Sequence, residues 1–162
     1  MKLSILILED EPEVRAGVER DLLDFASVVR IEPAEDAEDA WAVVDEISED
    51  GDVLALALCD HRLPGTSGVD FMVAMTADDR TLYTRKVLVT GQADLADTVK
   101  AVNEAQLDHY IAKPWQPEEL RAVVRTALTD YVELTGINPM PYLAVLDAQR
   151  ALPLMRNYSQ AD

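Results

Sequence analysis

Short apolar runs that each end in a polar side chain constrain the fold of this chain more than any other feature. The runs are Leu3–Leu8, Val53–Cys59, Val87–Val89 and His109–Ala112, and the polar residues that follow them are Glu9 with Asp10, Asp60, Thr90 and Lys113. In an open parallel α/β sheet, the carboxyl ends of the strands open onto one crevice. The sequence therefore predicts three carboxylates, a hydroxyl and an ammonium in one pocket, a set suited to phosphoryl transfer with a divalent cation.

Segments of helical periodicity alternate with the strand-like runs along most of the chain. The predicted order is strand 3–8, helix 12–24, strand 27–31, helix 37–47, strand 53–58, a helix capped by Ser67, strand 86–89, helix 95–103, strand 109–112 and a last helix opened by Pro117. Repeated β-α units of this length imply a parallel sheet with right-handed crossovers and helices on both faces. We therefore predict a doubly wound, five-stranded α/β fold over residues 1–130.

Residues 131–162 do not continue this alternation, and we treat them as a C-terminal extension. Gly136 and three prolines punctuate the extension, and 142–152 is predicted to be a short helix. Its apolar residues are too many for an exposed tail, so we expect the extension to pack on its own domain or on a second copy. A dimerisation element and a linker to a missing output domain are the remaining interpretations.

Composition and charge exclude several classes of protein. A hydrophobic fraction of 49% in 162 residues supports an ordinary buried core rather than a disordered chain. A single cysteine leaves no internal disulfide, and the N-terminal apolar run of six residues is too short for a signal peptide. We therefore expect a cytoplasmic protein. The net charge of −17 repels nucleic acid and anionic membranes, so we expect neither as a direct partner.

The predicted pocket carries the chemistry of an aspartyl acceptor. Glu9, Asp10 and Asp60 offer only oxygen ligands, which favours Mg²⁺ over zinc, and we expect neither His61 nor His109 to be a ligand. The Asp60 carboxylate is the candidate nucleophile, because a carboxylate can form an acyl phosphate. The Lys113 ammonium and the Thr90 hydroxyl are then candidates to donate hydrogen bonds to the phosphoryl oxygens.

Four segments in order strengthen this interpretation. LILEDEPEVR, LCDHRLPGTSGVDFM, VLVTGQADL and YIAKPWQPEEL resemble the successive signature segments of a response-regulator receiver domain, the CheY-like module of two-component signalling. The resemblance covers residues 3 to about 130 and implies the strand order 2-1-3-4-5. It also implies that Glu9, Asp10 and Asp60 hold Mg²⁺ together with the main-chain carbonyl of Arg62.

The resemblance further implies a signalling role for these residues. It implies that a histidine kinase or phosphotransfer protein phosphorylates Asp60, and that Thr90 and Lys113 recognise the phosphoryl group. Tyr110 falls at the position of the family's aromatic switch, and the Lys113–Pro114 bond is often cis in the family. The helix at 95–104, strand 5 and the last helix form the face that receivers remodel, where a downstream effector or a second copy is expected to dock.

Small departures from the family pattern bear on the site. Glu9 replaces the commoner aspartate, and its longer side chain can place water between the carboxylate and the cation. Arg62 and Gln92 occupy variable positions that influence how long the phosphate lasts.

Two other functional classes remain open at this point. A pseudo-receiver scaffold would keep the fold and never accept a phosphoryl group, which the intact set of five site residues argues against. A phosphatase with a nucleophilic aspartate, similar to haloacid dehalogenases, calls for a second acid two residues after the nucleophile, and this chain has Arg62 there. We therefore expect self-phosphorylation and autodephosphorylation rather than turnover of a separate substrate.

Overall fold

A parallel five-stranded sheet with helices on both faces forms the body of the protein. The computed structural model describes residues 1–91 and 95–160. The main elements are β1 (Leu3–Leu8), α1 (Pro12–Asp21), β2 (Arg30–Ala34), α2 (Ala37–Glu49), β3 (Val53–Asp60), α3 (Gly68–Met75), β4 (Arg85–Thr90), α4 (Leu95–Glu104), β5 (His109–Ala112), α5 (Pro117–Thr135) and α6 (Ala148–Gln160). The strand order is β2-β1-β3-β4-β5 with all pairs parallel, so the predicted fold class and strand order are confirmed.

The two faces of the sheet bury separate apolar clusters. Along β1, Leu3, Ile5 and Ile7 face the cluster built with α1 and α5, whereas Leu6 and Leu8 face the cluster built with α2 and α3. Every residue of β1 is buried, as expected for a central parallel strand covered on both faces. The central strands are therefore rigid supports for the side chains at their carboxyl ends.

Several predicted element boundaries are wrong by a few residues. The second strand was placed at 27–31 but spans Arg30–Ala34, because a 3-10 turn at Leu23–Phe25 follows α1 and the main-chain N–H of Val29 donates to Phe25 O. The predicted cap of α3 is confirmed, since the Ser67 hydroxyl accepts a hydrogen bond from the Asp70 N–H at 3.1 Å. Both β3 and β4 include their terminal polar residue, so Asp60 and Thr90 are the last residues of their strands.

The extension packs on its own domain. Tyr142, Val145, Leu146 and Ala151 are all buried in the α1/α5 cluster. Fully burying a side chain such as Val145 or Leu146 stabilises the folded state by about 1.5–3 kcal/mol. The Tyr142 hydroxyl also donates to Met1 O at 3.1 Å, which ties the extension to the start of β1. The apolar residues of the extension, expected to pack on their own domain or on a second copy, are therefore buried against their own domain.

The helix predicted at 142–152 is replaced by two separate helical elements. A 3-10 helix covers Met140–Val145, and α6 begins at Ala148 after an extended residue at Leu146. Asp147 separates them because its carboxylate accepts hydrogen bonds from the N–H groups of Gln149 and Arg150, which starts a new helix. Pro153 lies inside α6 rather than ending a helix.

Within the described parts of the chain, none of the helices combines the length and the apolar character needed to cross a bilayer.

Candidate functional site

Three carboxylates converge at the carboxyl edge of the sheet. Glu9 follows β1 directly, Asp10 comes next, and Asp60 ends the neighbouring strand β3. One oxygen from each of the three lies within 4.8 Å of the others, with Glu9 and Asp60 buried and Asp10 more exposed. The arrangement matches the prediction from the apolar runs and places a compact, oxygen-only donor set at the strand ends.

Lys113 bridges two of these carboxylates. Its Nζ lies 3.1 Å from Asp60 Oδ2 and 3.4 Å from Glu9 Oε1. The lysine directly follows β5, its peptide bond to Pro114 is cis, and its main-chain N–H donates to Thr90 O at 2.9 Å. The loop after β5 is thereby tied to the end of β4, and the ammonium is brought over the predicted nucleophile.

Burial dominates the electrostatics of the pocket. Burial, followed by a hydrogen bond with Asp60 and the charge of Asp60, raises the pKa of Glu9 from 4.5 to about 7. For Lys113, burial acts to lower the pKa, but the hydrogen bond and charge of Asp60 together with Glu9 outweigh it and leave the pKa raised. Near neutral pH the pocket therefore holds a protonated lysine and a partly protonated glutamate.

The predicted phosphoryl-recognition and switch residues occupy different environments. Thr90 is buried at the end of β4, and its hydroxyl donates to Gly91 O at 3.2 Å. The Arg62 N–H donates to Asp60 Oδ1 at 3.4 Å, which brings this main chain beside the nucleophile. Tyr110 on β5 is 60% exposed, so its ring lies on the surface rather than in the core. Gln92, also predicted to lie near the site, falls outside the described residues.

Sequence reasoning missed two residues that shape the pocket. A Cβ on Gly68, the first residue of α3, would lie 2.0 Å from Asp60 O, so only glycine lets α3 pack against the strand that carries Asp60. The Arg15 guanidinium donates to Glu9 O at 2.7 Å and fixes the main chain of the acid pair. The glycine beside the helix cap was a usable signal, whereas nothing in the sequence pointed to Arg15.

The three-carboxylate group is built from acidic residues alone. Among the described residues the three-carboxylate group contains no histidine or cysteine. His109 opens β5, and its Nε2 lies 3.8 Å from Asp130 on α5. Cys59 is fully buried, and burial raises the pKa of its thiol. Within residues 1–91 and 95–160, the acidic group therefore offers the hard oxygen donors that Mg²⁺ prefers.

Comparisons with known proteins agree with this geometry. The sequence model described as the response regulator receiver domain matches residues 5–125. The hydrogenase transcriptional regulatory protein HoxA of Cupriavidus necator is 28% identical over 156 residues, which cover 96% of this chain and 30% of HoxA. Response regulator Rre1 of Synechocystis is 28% identical over 126 residues, covering 78% of this chain and 52% of Rre1. The chain thus spans 30% of HoxA and 52% of Rre1.

A solved structure supports the same assignment. The CheY-like response regulator receiver domain protein of Methanospirillum hungatei superimposes with a TM-score of 0.70 at 25% identity, covering 83% of this chain and 99% of that one. The family match, the strand order and the acidic pocket at the strand ends agree with one another. This chain belongs to the response regulator receiver domain family.

Proposed function

We propose that Asp60 accepts a phosphoryl group from a histidine kinase or a phosphotransfer protein in a Mg²⁺-dependent reaction. The observation that carries the proposal is the Lys113 ammonium, which lies 3.1 Å from the Asp60 carboxylate inside a group of three acids. In this proposal residues 1–130 form the receiver and residues 131–162 form an appended element.

The proposed chemistry is transfer to an oxygen of Asp60. An Asp60 carboxylate oxygen attacks phosphorus, a new O–P bond forms, and the P–N bond to the donor imidazole breaks with its electron pair remaining on nitrogen. Lys113 is held where its ammonium can donate to one phosphoryl oxygen, and the Thr90 hydroxyl can turn from Gly91 O to another. The product is an acyl phosphate that water later hydrolyses, so the protein turns over no separate substrate.

The acidic group would hold the metal ion. Carboxylates of Glu9, Asp10 and Asp60, with the main-chain carbonyl of Arg62, are the proposed protein ligands. When bound, Mg²⁺ offsets negative charge that develops on the phosphoryl oxygens. Because the pKa of Glu9 is raised to about 7, binding of the metal would release a proton from this residue near neutral pH.

The proposed output is a change on the α4-β5-α5 face. Val99 and Val102 on α4 are exposed, as is Tyr110 on β5, so this face already presents apolar side chains to a partner. Movement of Thr90 toward the phosphoryl group would vacate space for the Tyr110 ring to turn inward. We infer that a downstream effector protein or a second copy of the chain docks here.

Intact-mass spectrometry with acetyl phosphate and Mg²⁺ tests the proposal. The wild type should gain one phosphoryl group only when Mg²⁺ is present, and Asp60→Asn should gain none. Asp79→Asn, which alters an exposed aspartate outside the pocket, is the matched control and should behave as the wild type. A wild type that binds Mg²⁺ but gains no mass would refute phosphoryl acceptance and favour a scaffold that never takes phosphate.

A further inference from the structure

We propose that α6 is a movable arm, held against α5 by the ion pairs of Arg150 and released when the receiver is phosphorylated. Release by phosphorylation rests on the proposed function, whereas the ion pairs of Arg150, here called the clamp, do not. The extension divides into two parts that differ in burial: an anchor, residues 140–146, and the arm, Ala148–Gln160.

The anchor is built into the domain. Tyr142, Val145 and Leu146 are each at most 4% exposed and belong to the α1/α5 cluster. The Arg125 guanidinium donates to Ala144 O at 3.1 Å and to Leu146 O at 3.4 Å, which satisfies main-chain carbonyls of the anchor. Moving this segment would expose apolar surface and break these hydrogen bonds together, so we expect the anchor to remain in place.

The arm is held by much less. Ala151 is its one buried residue, Leu154 packs partly buried against the α1/α5 cluster, and residues 156–160 are all exposed. Pro153 has no N–H to donate to Gln149 O, so the helix also lacks one internal hydrogen bond near its middle. Two large apolar side chains of the arm, Leu152 and Tyr158, are about half exposed. An arm with so few buried contacts can detach from α5 at a low free-energy cost, and its exposed apolar side chains can then pack elsewhere.

The clamp joins the arm to the receiver through Asp130. Arg150 Nη2 lies 2.8 Å from Asp130 Oδ1 and 3.1 Å from Glu133 Oε2, and all three side chains are at least 30% exposed. Ion pairs of such exposure contribute little to stability, so small movements can open them. The other oxygen of Asp130 faces His109 Nε2 at 3.8 Å, and His109 precedes Tyr110 on β5. A shift of β5 would therefore change the position of the carboxylate that holds the arm.

Distance measurement between spin labels tests the arm. Because Cys59 is fully buried, labels can be attached selectively at Ala122→Cys on α5 and Asn157→Cys on α6, both exposed positions. We expect a narrow distance distribution without phosphate, and a longer or broader one after acetyl phosphate and Mg²⁺. Asp60→Asn in the labelled protein should abolish that change, and intact mass of the same samples reports whether the phosphoryl group was accepted.

Arginine substitutions test the clamp without any phosphate. Arg150→Gln should broaden the distribution and speed amide exchange in the arm roughly fivefold, as expected for losing weak surface ion pairs, while exchange in the anchor stays unchanged. Arg156→Gln removes the same charge from an exposed position of the same helix and should leave both measurements unaltered.

The outcomes separate the two proposals. A phosphoryl adduct with an unchanged distance distribution overturns the arm but leaves the proposed function intact. An Arg150→Gln protein with the wild-type distribution and exchange overturns the clamp. Absence of an adduct refutes the proposed function, and the phosphate-driven release then fails with it.

Discussion

Replacing Gly68 by alanine should damage both the stability of the fold and the site. The added Cβ would lie 2.0 Å from the Asp60 carbonyl oxygen, 2.8 Å from its carbonyl carbon and 3.1 Å from the Cα of His61. Ordinary contact begins near 3.4 Å, so α3 and the end of β3 must separate by 1.4 Å (3.4 minus 2.0). The atoms that the Cβ would meet belong to the backbone of Asp60 and His61, so no flexible side chain can move aside to relieve the contact.

Gly68→Ala should lower the free energy of unfolding by about 3 kcal/mol, the upper end of the loss expected when an extra methyl group is forced into a packed core. For a domain of this size that corresponds to a fall of roughly 6–12 °C in the melting temperature. Urea denaturation followed by circular dichroism gives the free energy, and intact mass after acetyl phosphate gives the extent of phosphorylation. We expect Gly68→Ala to lower both, because Asp60 is the residue that must move.

Gly17→Ala is the matched control for this substitution. Gly17 lies inside α1, and the nearest atom to an added Cβ is the flexible Arg20 Nη2 at 3.6 Å. Alanine there should stabilise the protein by about 0.5–1 kcal/mol, because glycine weakens a helix interior. If Gly68→Ala lost less than about 1 kcal/mol, or kept full phosphorylation, the close approach of α3 to Asp60 would be wrong.

Three further predictions follow from buried ionisable groups. Lys86 is 2% exposed, and its ammonium has no ion pair or hydrogen bond among the described residues. Burial lowers its pKa below 10.5, so the destabilising charge is lost as pH rises toward that value. In urea titrations, Lys86→Met should therefore raise the free energy of unfolding by about 1–3 kcal/mol at pH 7 and by less at pH 10. Burial and Asp60 raise the pKa of Glu9 above its unfolded value of 4.5, so its contribution to stability is present below pH 4.5 and is lost as pH rises through about 7. Without metal, the free energy of unfolding of Glu9→Gln should therefore rise relative to that of the wild type between pH 4.5 and 8, by about 3 kcal/mol at most. An unchanged difference across that range would contradict the shift. Cys59 is fully buried and burial raises its thiol pKa, so a thiol reagent at pH 8 should label it in urea and leave it unlabelled in the folded protein.

The position of the candidate acidic group was predictable from the sequence because the strands that carry it, β1 and β3, are central strands. β1 and β3 are buried on both faces, so each is a near-continuous apolar run whose end marks the carboxyl edge of the sheet. Glu9 and Asp60 follow from those ends without knowledge of any contact, whereas Lys113 follows the edge strand β5. The edge strand β2 was misplaced because its residues are mostly half-exposed and include Pro33, which an edge strand tolerates.

Contacts between distant parts of the chain were not predictable in the same way. The Tyr142 hydroxyl meets Met1 O, and Arg150 meets Asp130, through packing that no local periodicity encodes. The apolar content of the extension predicted that it would be buried, but not against which surface. The close approach at Gly68 likewise depends on how α3 sits over β3, which is a property of the assembled sheet and helices.

The most direct test of the central claim is to identify the modified residue. Borohydride reduces an aspartyl phosphate to homoserine, so protein treated with acetyl phosphate and Mg²⁺ can be reduced, digested and analysed by tandem mass spectrometry. We predict homoserine at position 60 alone, only in samples that contained Mg²⁺. Homoserine at another aspartate, or equal conversion without Mg²⁺, would contradict the assignment of Asp60 as the acceptor in a metal-dependent pocket.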